Sequence, residues 1–320
     1  MCVVSFSSEV KEELSKHMSE ARHCQIAEIA AMISLCGKVT ISEKDEYAVK
    51  IHTENIAVAK KFYELLKAAF HIKAAIAMKK NVYLRKGKSY TVAVSKHEEA
   101  IQILKAIKVL GKDGEIQEEM SISNMVVQNT CCKRSFIRGS FLSSGSISDP
   151  EKTYHFEIVC LSEEKANQLK EMIQFFEIDA KVVTRKKYYV VYVKEGAMIV
   201  DLLNIMEAHV SLMKLENVRI LKDMRNSVNR RVNCETANIN KTVSAAVKQV
   251  EDIKYIEKRI GLDGLAPGLE EIARLRLEQP EATLKELGEM LQSPVGKSGV
   301  NHRLRKLSAI AQELRENEIT

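Results

Sequence analysis

A chain of 320 residues is long enough to bury two or three hydrophobic cores. Its 45% apolar and 29% charged residues are ordinary globular proportions, no run approaches the ~18 apolar residues that span a bilayer, and the acidic residues that follow the short apolar start argue against a secretory signal. A net charge of +6 is too small to mark a nucleic-acid binder, so the distribution of charge has to carry that question.

The seven cysteines are Cys2, Cys24, Cys36, Cys131, Cys132, Cys160 and Cys234. They are odd in number and contain no CxxC, so buried thiols in a reducing, cytoplasmic compartment are expected rather than a disulfide framework or a zinc ribbon. Cys24 can be grouped with His17 and His23, but no fourth ligand stands at a metal-site spacing. No metal and no cofactor is therefore expected. Positive charge is concentrated in two stretches. His71–Lys96 holds seven Lys/Arg and no Asp/Glu, and Lys181–Arg259 holds sixteen against nine. Both favour a polyanionic partner, and both would also suit a solvated face.

The first two thirds of the chain repeat one pattern. Arg22–Cys36 has helical apolar spacing at Ile26, Ile29, Ala30 and Ile33 and stops at Gly37. Alternating runs at 38–42 and 46–52 predict a hairpin, Glu54–Ala69 a second helix, Ile76–Leu84 and Tyr90–Val94 a second hairpin, and Glu98–Leu110 a third helix. The same order returns from Cys131: a helix to Ser144, Gly145, strands near 146–148 and 154–160, a helix at 163–176, strands at 181–186 and 188–193, and a helix at 197–207. Gly37 aligns with Gly145, KKFYELL with NQLKEMI, and SYTVAV with YYVVYV, a repeat of about 105 residues. The expected fold class is α+β: two αββαββα units paired about a pseudo-two-fold axis, followed by an all-α domain. A two-fold sheet suits duplex DNA, and it equally suits a protein dimer or a purely structural core.

Beyond Leu221, Val228, Val232, Ile239, Val243, Val247, Val250 and Ile253 give intermittent helical periodicity. Asn226, Asn229 and Asn233 share one face, with Arg230 and Arg231 nearby. Asparagine is a weak helix former whose amide can read adenine edges, so this stretch is a candidate DNA-contacting connector. Capped turns between short packing helices are the alternative.

Leu265-Ala-Pro-Gly opens a three-helix segment. Leu269, Ile272, Ala273 and Leu277 line the first helix, which Pro280 stops; Thr283 and Glu286 predict a capping box for Leu284–Leu291. After QSPVG, a final helix from about Lys297 to Glu316 is apolar at Val300, Leu304, Leu307 and Ala311. Its other side carries Ser298, Asn301, His302 and Arg305, flanked by Lys297, Arg303 and Lys306. No acidic residue falls between Pro294 and Lys306, although residues 261–320 hold ten Asp/Glu against eight Lys/Arg. Positive charge focused on the first turns of one helix is what a helix-turn-helix recognition helix requires in the major groove. The expected partner is double-stranded DNA.

These residues resemble the WhiA family of bacterial regulators over nearly the full length, through SFSSEVKEEL (Ser5–Leu14), RNSVNRRVNCETANINKTVSAA (Arg225–Ala246) and KSGVNHRLRKL (Lys297–Leu307). The resemblance implies a degenerate LAGLIDADG homing-endonuclease fold fused to a C-terminal helix-turn-helix similar to region 4 of sigma factors. It divides the chain into LAGLIDADG-like repeats at 1–120 and 121–221, a basic, Asn-rich helical connector at 222–260, and the DNA-binding domain at 261–320. FIRGSFLSSGSI (Phe136–Ile147) carries the endonuclease motif, with Gly139 and Gly145 at its helix-packing glycines. The acidic metal ligand that precedes the last glycine in the nucleases is replaced by Ser144, and by Cys36 in the first repeat, so no catalysis is expected. The implied function is a sequence-specific transcription regulator of cell-division or sporulation genes, cytoplasmic and nucleoid-associated. An architectural chromosome protein, or a scaffold for another transcription regulator or RNA polymerase, stays open as an alternative.

Overall fold

A computed structural model describes residues 5–43, 45–80, 88–110 and 122–317. Part of the basic stretch, including Arg85 and Lys86, lies outside the described residues. The chain divides into two compact units, Met1–Lys222 and Asp223–Thr320.

In the first unit, α1 (Phe6–Lys16) precedes two copies of one topology. The first runs α2 (Arg22–Cys36), β1 (Gly37–Ile41), β2 (Tyr47–Thr53), α3 (Ile56–Phe70), β3 (Ala75–Lys80), β4 (Lys88–Val94), α4 (His97–Ala106). The second runs α5 (Thr130–Ser144), β5 (Gly145–Ile147), β6 (Phe156–Cys160), α6 (Glu163–Gln174), β7 (Lys181–Arg185), β8 (Tyr188–Val193), α7 (Gly196–Met206). Each copy builds an antiparallel four-stranded sheet, ordered β1-β2-β4-β3 and β5-β6-β8-β7. The register places Ile51 opposite Val92 in one sheet and Ile158 opposite Val191 in the other, all four buried. Side chains alternate along a strand, so Val49, Ile51 and Thr53 turn to the helices while Ala48, Lys50 and His52 face away.

Helix limits follow local chemistry. The helix expected from Glu54 begins at Ile56 because the Asn55 side chain accepts from the Ala57 N–H at 2.8 Å. The helix expected to reach Leu110 ends at Ala106, and Lys108 then takes a left-handed φ of 56° while Ile107 and Val109 stay buried. The helix expected to reach Phe176 ends at Gln174, with Glu177 at φ 63°.

The two copies meet along α2 and α5. At Gly139 a β-carbon would lie 2.6 Å from the Glu28 carbonyl oxygen and 3.0 Å from the Ala31 side chain, so only glycine allows this approach. Gly145 works differently from the expectation. Its missing β-carbon would strike Phe141 of its own helix, so it shapes the turn from α5 into β5 rather than the packing between helices. The apolar residues of both copies form one continuous core.

The connector expected to be helical at 222–260 is part of one longer helix, α8 (His209–Ile260), with no capped turns breaking it. Its start is capped from a distance. The Glu13 carboxylate accepts from the backbone N–H of Val210 at 2.7 Å and of Ser211 at 2.9 Å. In the second unit, Ile253 and Ile256 of α8 join Ile272, Leu287, Val300, Leu304 and Leu307 in a separate core. The remaining helices are α9 (Pro267–Glu278), α10 (Leu284–Met290) and α11 (Lys297–Glu316). Among the described residues, no helix is long and apolar enough to cross a membrane.

Candidate nucleic-acid interface

Three devices fix the helices that carry α11. Thr283 and Glu286 form the complete capping box at the start of α10, with Glu286 accepting from the Thr283 N–H at 2.7 Å and Thr283 accepting from the Glu286 N–H at 3.3 Å. Those bonds hold the Glu286 carboxyl below its ordinary range. The turn into α11 closes through Val295 N–H to the Gly288 carbonyl at 3.1 Å, and a β-carbon at Gly288 would sit 2.2 Å from the Val295 oxygen. Arg276, buried and not singled out by its sequence, donates to the carbonyls of Pro280 (3.3 Å) and Ala282 (2.7 Å) and to the Gln249 side chain (3.1 Å). It ties α8 and the end of α9 to the start of α10.

With Val300, Leu304, Leu307 and Ala311 buried, the rotation of about 100° per residue places Ser298, His302, Arg305 and Lys306 on the far side of α11. All four are exposed, as is Lys297. Asn301 and Arg303 occupy the flanks and are half-buried. Asn301 departs from the outward side expected of it, while Arg303 keeps the expected flank with its guanidinium engaged: it donates to the Gly268 carbonyl at 3.4 Å, bracing α11 against the start of α9. Asn301 and Lys297 line a groove of about 1080 Å³ whose other walls carry Lys241, Lys254, Arg276 and Lys285 against two carboxylates, Glu251 and Glu281. The first turn of α11 has no side-chain cap, so its free N–H groups add to this positive field.

Asn226, Asn229, Arg230 and Arg231 are all exposed on α8. Asn226, Asn229 and Arg230 share one face, whereas Arg231 is turned about 150° from the middle of it. They lie at least ten residues before the groove-lining Lys241, roughly 15 Å along the helix axis, so these residues and those of α11 form two separate patches.

At the nuclease-motif positions, Cys36 and Ser144 end α2 and α5. The Cys36 thiol donates to the Met32 carbonyl at 3.1 Å, and burial pushes its pKa up. The Lys11 amine lies beside it, lowered to about 8 by burial. A neutral thiol, a hydroxyl and an amine do not make the hard anionic ligand set that a divalent cation needs in a nuclease. The outer sheet faces have diverged as well. The first presents Lys38, Lys50, His52 and Lys79, while on the second Glu157 accepts from Ser146 (3.1 Å) and Arg185 (3.0 Å) and lies 3.0 Å from His155. Those partners hold the Glu157 carboxyl below its usual range despite its burial.

Comparison with known proteins agrees with this geometry along the chain. Residues 22–110 match the WhiA N-terminal LAGLIDADG-like domain, 133–225 the WhiA LAGLIDADG-like domain, and 228–311 the WhiA C-terminal HTH domain. A probable cell division protein WhiA from Lachnoclostridium phytofermentans is 56% identical over 98% of this chain and 100% of its own length. Its counterpart from Alkaliphilus oremlandii is 48% identical over 99% of each. The crystal structure of full-length DUF199/WhiA from Thermatoga maritima shares the fold, with a TM-score of 0.57 at 23% identity over 97% of this chain and 99% of that one.

A duplicated αββαββα body without its metal-binding carboxylates, followed by a helix-turn-helix with a basic outer face, defines a DNA-binding regulatory protein distinct from the strand-cleaving homing endonucleases. The chain belongs to the WhiA family.

Proposed function

We propose that this chain is a sequence-specific transcription regulator that reads duplex DNA through the first turns of α11 and acts on cell-division and sporulation genes, in the cytoplasm and at the nucleoid. The observation that carries this reading is the exposure of Ser298, His302 and Arg305 directly opposite the buried stripe of α11. Arg305 is the base-reading candidate, Lys297 and Lys306 meet phosphates, and Asn301 reads from the groove side. Asn226, Asn229 and Arg230 provide a second strip along α8, and Arg231 reaches phosphate from the opposite side of the helix. On this reading, residues 1–120 and 121–221 are the LAGLIDADG-like repeats, 222–260 the connector and 261–320 the reading domain. The gene class rests on relatives named as probable cell division proteins. The family resemblance implies C-terminal helices similar to sigma region 4, and on that ground RNA polymerase or another regulator is proposed as a further partner.

Genome-wide occupancy tests this reading. Enrichment at promoters with a shared motif, reproduced by a gel shift against random duplex, is the expected result. Even spread over coding regions, with no preference in the gel shift, would replace it with the architectural reading.

A further inference from the structure

His23, Cys24, Cys131 and Cys132 offer one side-chain ligand atom each, and these atoms all lie within 4.8 Å of one another. The grouping considered from the sequence, Cys24 with His17 and His23, is not the one that forms. His17 turns to Glu207, 3.0 Å away, and two cysteines more than a hundred residues downstream take its place.

The ligand pairs occupy the first turns of α2 and α5. His23 and Cys131 are 108 residues apart, as are Cys24 and Cys132, and as are Gly37 and Gly145. The same two positions of each repeat therefore face one another, and their centre lies on the pseudo-two-fold axis. Cys24 and Cys132 are buried, while His23 and Cys131 are exposed and leave an entry path. The Cys131 sulfur is 3.9 Å from the His23 Nε2.

We propose that these four residues form a structural zinc site that staples the two LAGLIDADG-like repeats together. Three thiolates and an imidazole are a zinc ligand set, and a tetrahedron with Zn–S near 2.3 Å has edges of about 3.8 Å. The observed spread needs only rotamer adjustments of roughly 1 Å to reach it. Burial raises the Cys24 and Cys132 thiols in the metal-free chain, and the two helix N-termini that converge on the site work against it. The Ser135 side chain and the Asn129 backbone hydrogen-bond the buried sulfurs, the outer support such sites use. With all four positions filled by protein, the site is closed to substrate. It is also separate from the ancestral nuclease centre, since Cys24 and Cys36 are twelve residues apart on α2, about 18 Å along its axis.

The test uses the full-length protein purified under reducing conditions without chelator. One zinc per chain is expected by elemental analysis. Replacement by Co²⁺ should give sulfur-to-cobalt charge-transfer absorption with intense tetrahedral bands. Cys131→Ser and His23→Ala change exposed side chains, so both should fold and should hold less than a tenth of the wild-type zinc. Chelation should lower the wild-type Tm to that of Cys131→Ser and leave the variant unchanged. A reduced wild-type protein that neither carries zinc nor takes up cobalt with these bands would overturn the proposal. So would cobalt bands that survive in both variants, or a thiol count showing the cysteines joined as a disulfide.

Discussion

The Arg138 guanidinium meets the Glu28 carboxylate at 3.2 Å with neither side chain exposed to solvent. Arg138 belongs to α5 and Glu28 to α2, so the ion pair crosses the boundary between the repeats. Lys61 of α3 adds a second cation to Glu28 at 3.2 Å, while Arg138 also reaches Glu207 at 2.5 Å and the hydroxyls of Ser19 (2.8 Å) and Ser135 (3.2 Å). Two cations and two carboxylates balance at the centre of the unit. Removing one partner of a buried pair leaves an uncompensated charge, so Arg138→Met should cost about 3–5 kcal/mol in urea unfolding. The Arg138→Met/Glu28→Leu pair should cost clearly less than the sum of the single changes. Additive losses would mean that the two residues do not act as a unit.

Lys11 gives a pH-dependent prediction with a definite sign. Burial lowers its amine from 10.5 to about 8, so between those values the unfolded chain binds more protons than the folded one. Stability attributable to this group therefore rises with pH across that window and is lost as pH falls through it. Below about pH 8 the charged amine is a standing burden. Lys11→Met should stabilise the protein at pH 7, by a few kcal/mol at most, and the advantage should shrink toward pH 10. Chemical denaturation of both proteins from pH 7 to 10 measures it; parallel curves would show that the folded-state amine is not shifted.

On α11, the exposed Arg305 and the groove-lining Asn301 should behave differently from Lys306. Arg305→Ala and Asn301→Ala should each reduce preference for the selected site over random duplex by about 1–3 kcal/mol. Lys306→Ala should weaken both DNAs alike and flatten the salt dependence by about one unit of slope. Arg303→Ala should lower stability more than discrimination, because its guanidinium is engaged with Gly268. Binding titrations at several salt concentrations separate these effects.

Gly288→Val places a branched side chain against the Val295 carbonyl, where a single β-carbon would already stand 2.2 Å away. The expected loss is at least the 1–3 kcal/mol typical of overpacking, confined to the unfolding of residues 223–320. Hydrogen exchange should show α10 and α11 losing protection while α2 and α5 keep theirs.

Much of this architecture is legible in the residues because its signals are periodic. Ile26, Ile29 and Ile33 mark α2 as a helix, although it is buried on all sides from Ala27 to Leu35, alternation marks β2 and β4, and Thr283 with Glu286 marks the start of α10. The repeat itself is visible through Gly37 and Gly145. What escaped is long-range. The start of α8 is capped by Glu13, nearly two hundred residues away, and no local pattern announces such a partner. Arg276 and Arg303 carry the charge of surface residues, yet they donate to backbone carbonyls. The His23–Cys24 and Cys131–Cys132 pairs are invisible to spacing rules that look for ligands close in sequence. They do coincide when the repeats are superimposed at the offset that Gly37 and Gly145 define, the one sequence signal that could have found them.

The Arg138–Glu28 pair also constrains how the halves can assemble. At the 108-residue offset, Arg138 corresponds to Ala30 and Glu28 to Phe136, so neither repeat carries both charges. A first repeat meeting its own copy would bring together two buried glutamates, each with a lysine but no arginine. A second repeat meeting its own copy would set two arginines side by side with no Glu28. Lys61 and Glu207 keep the net charge of each like pairing at zero, but only the unlike pairing brings Arg138 against Glu28. The two sides of the seam have thus become a lock and its key, and the two halves expressed as separate chains should favour each other over themselves.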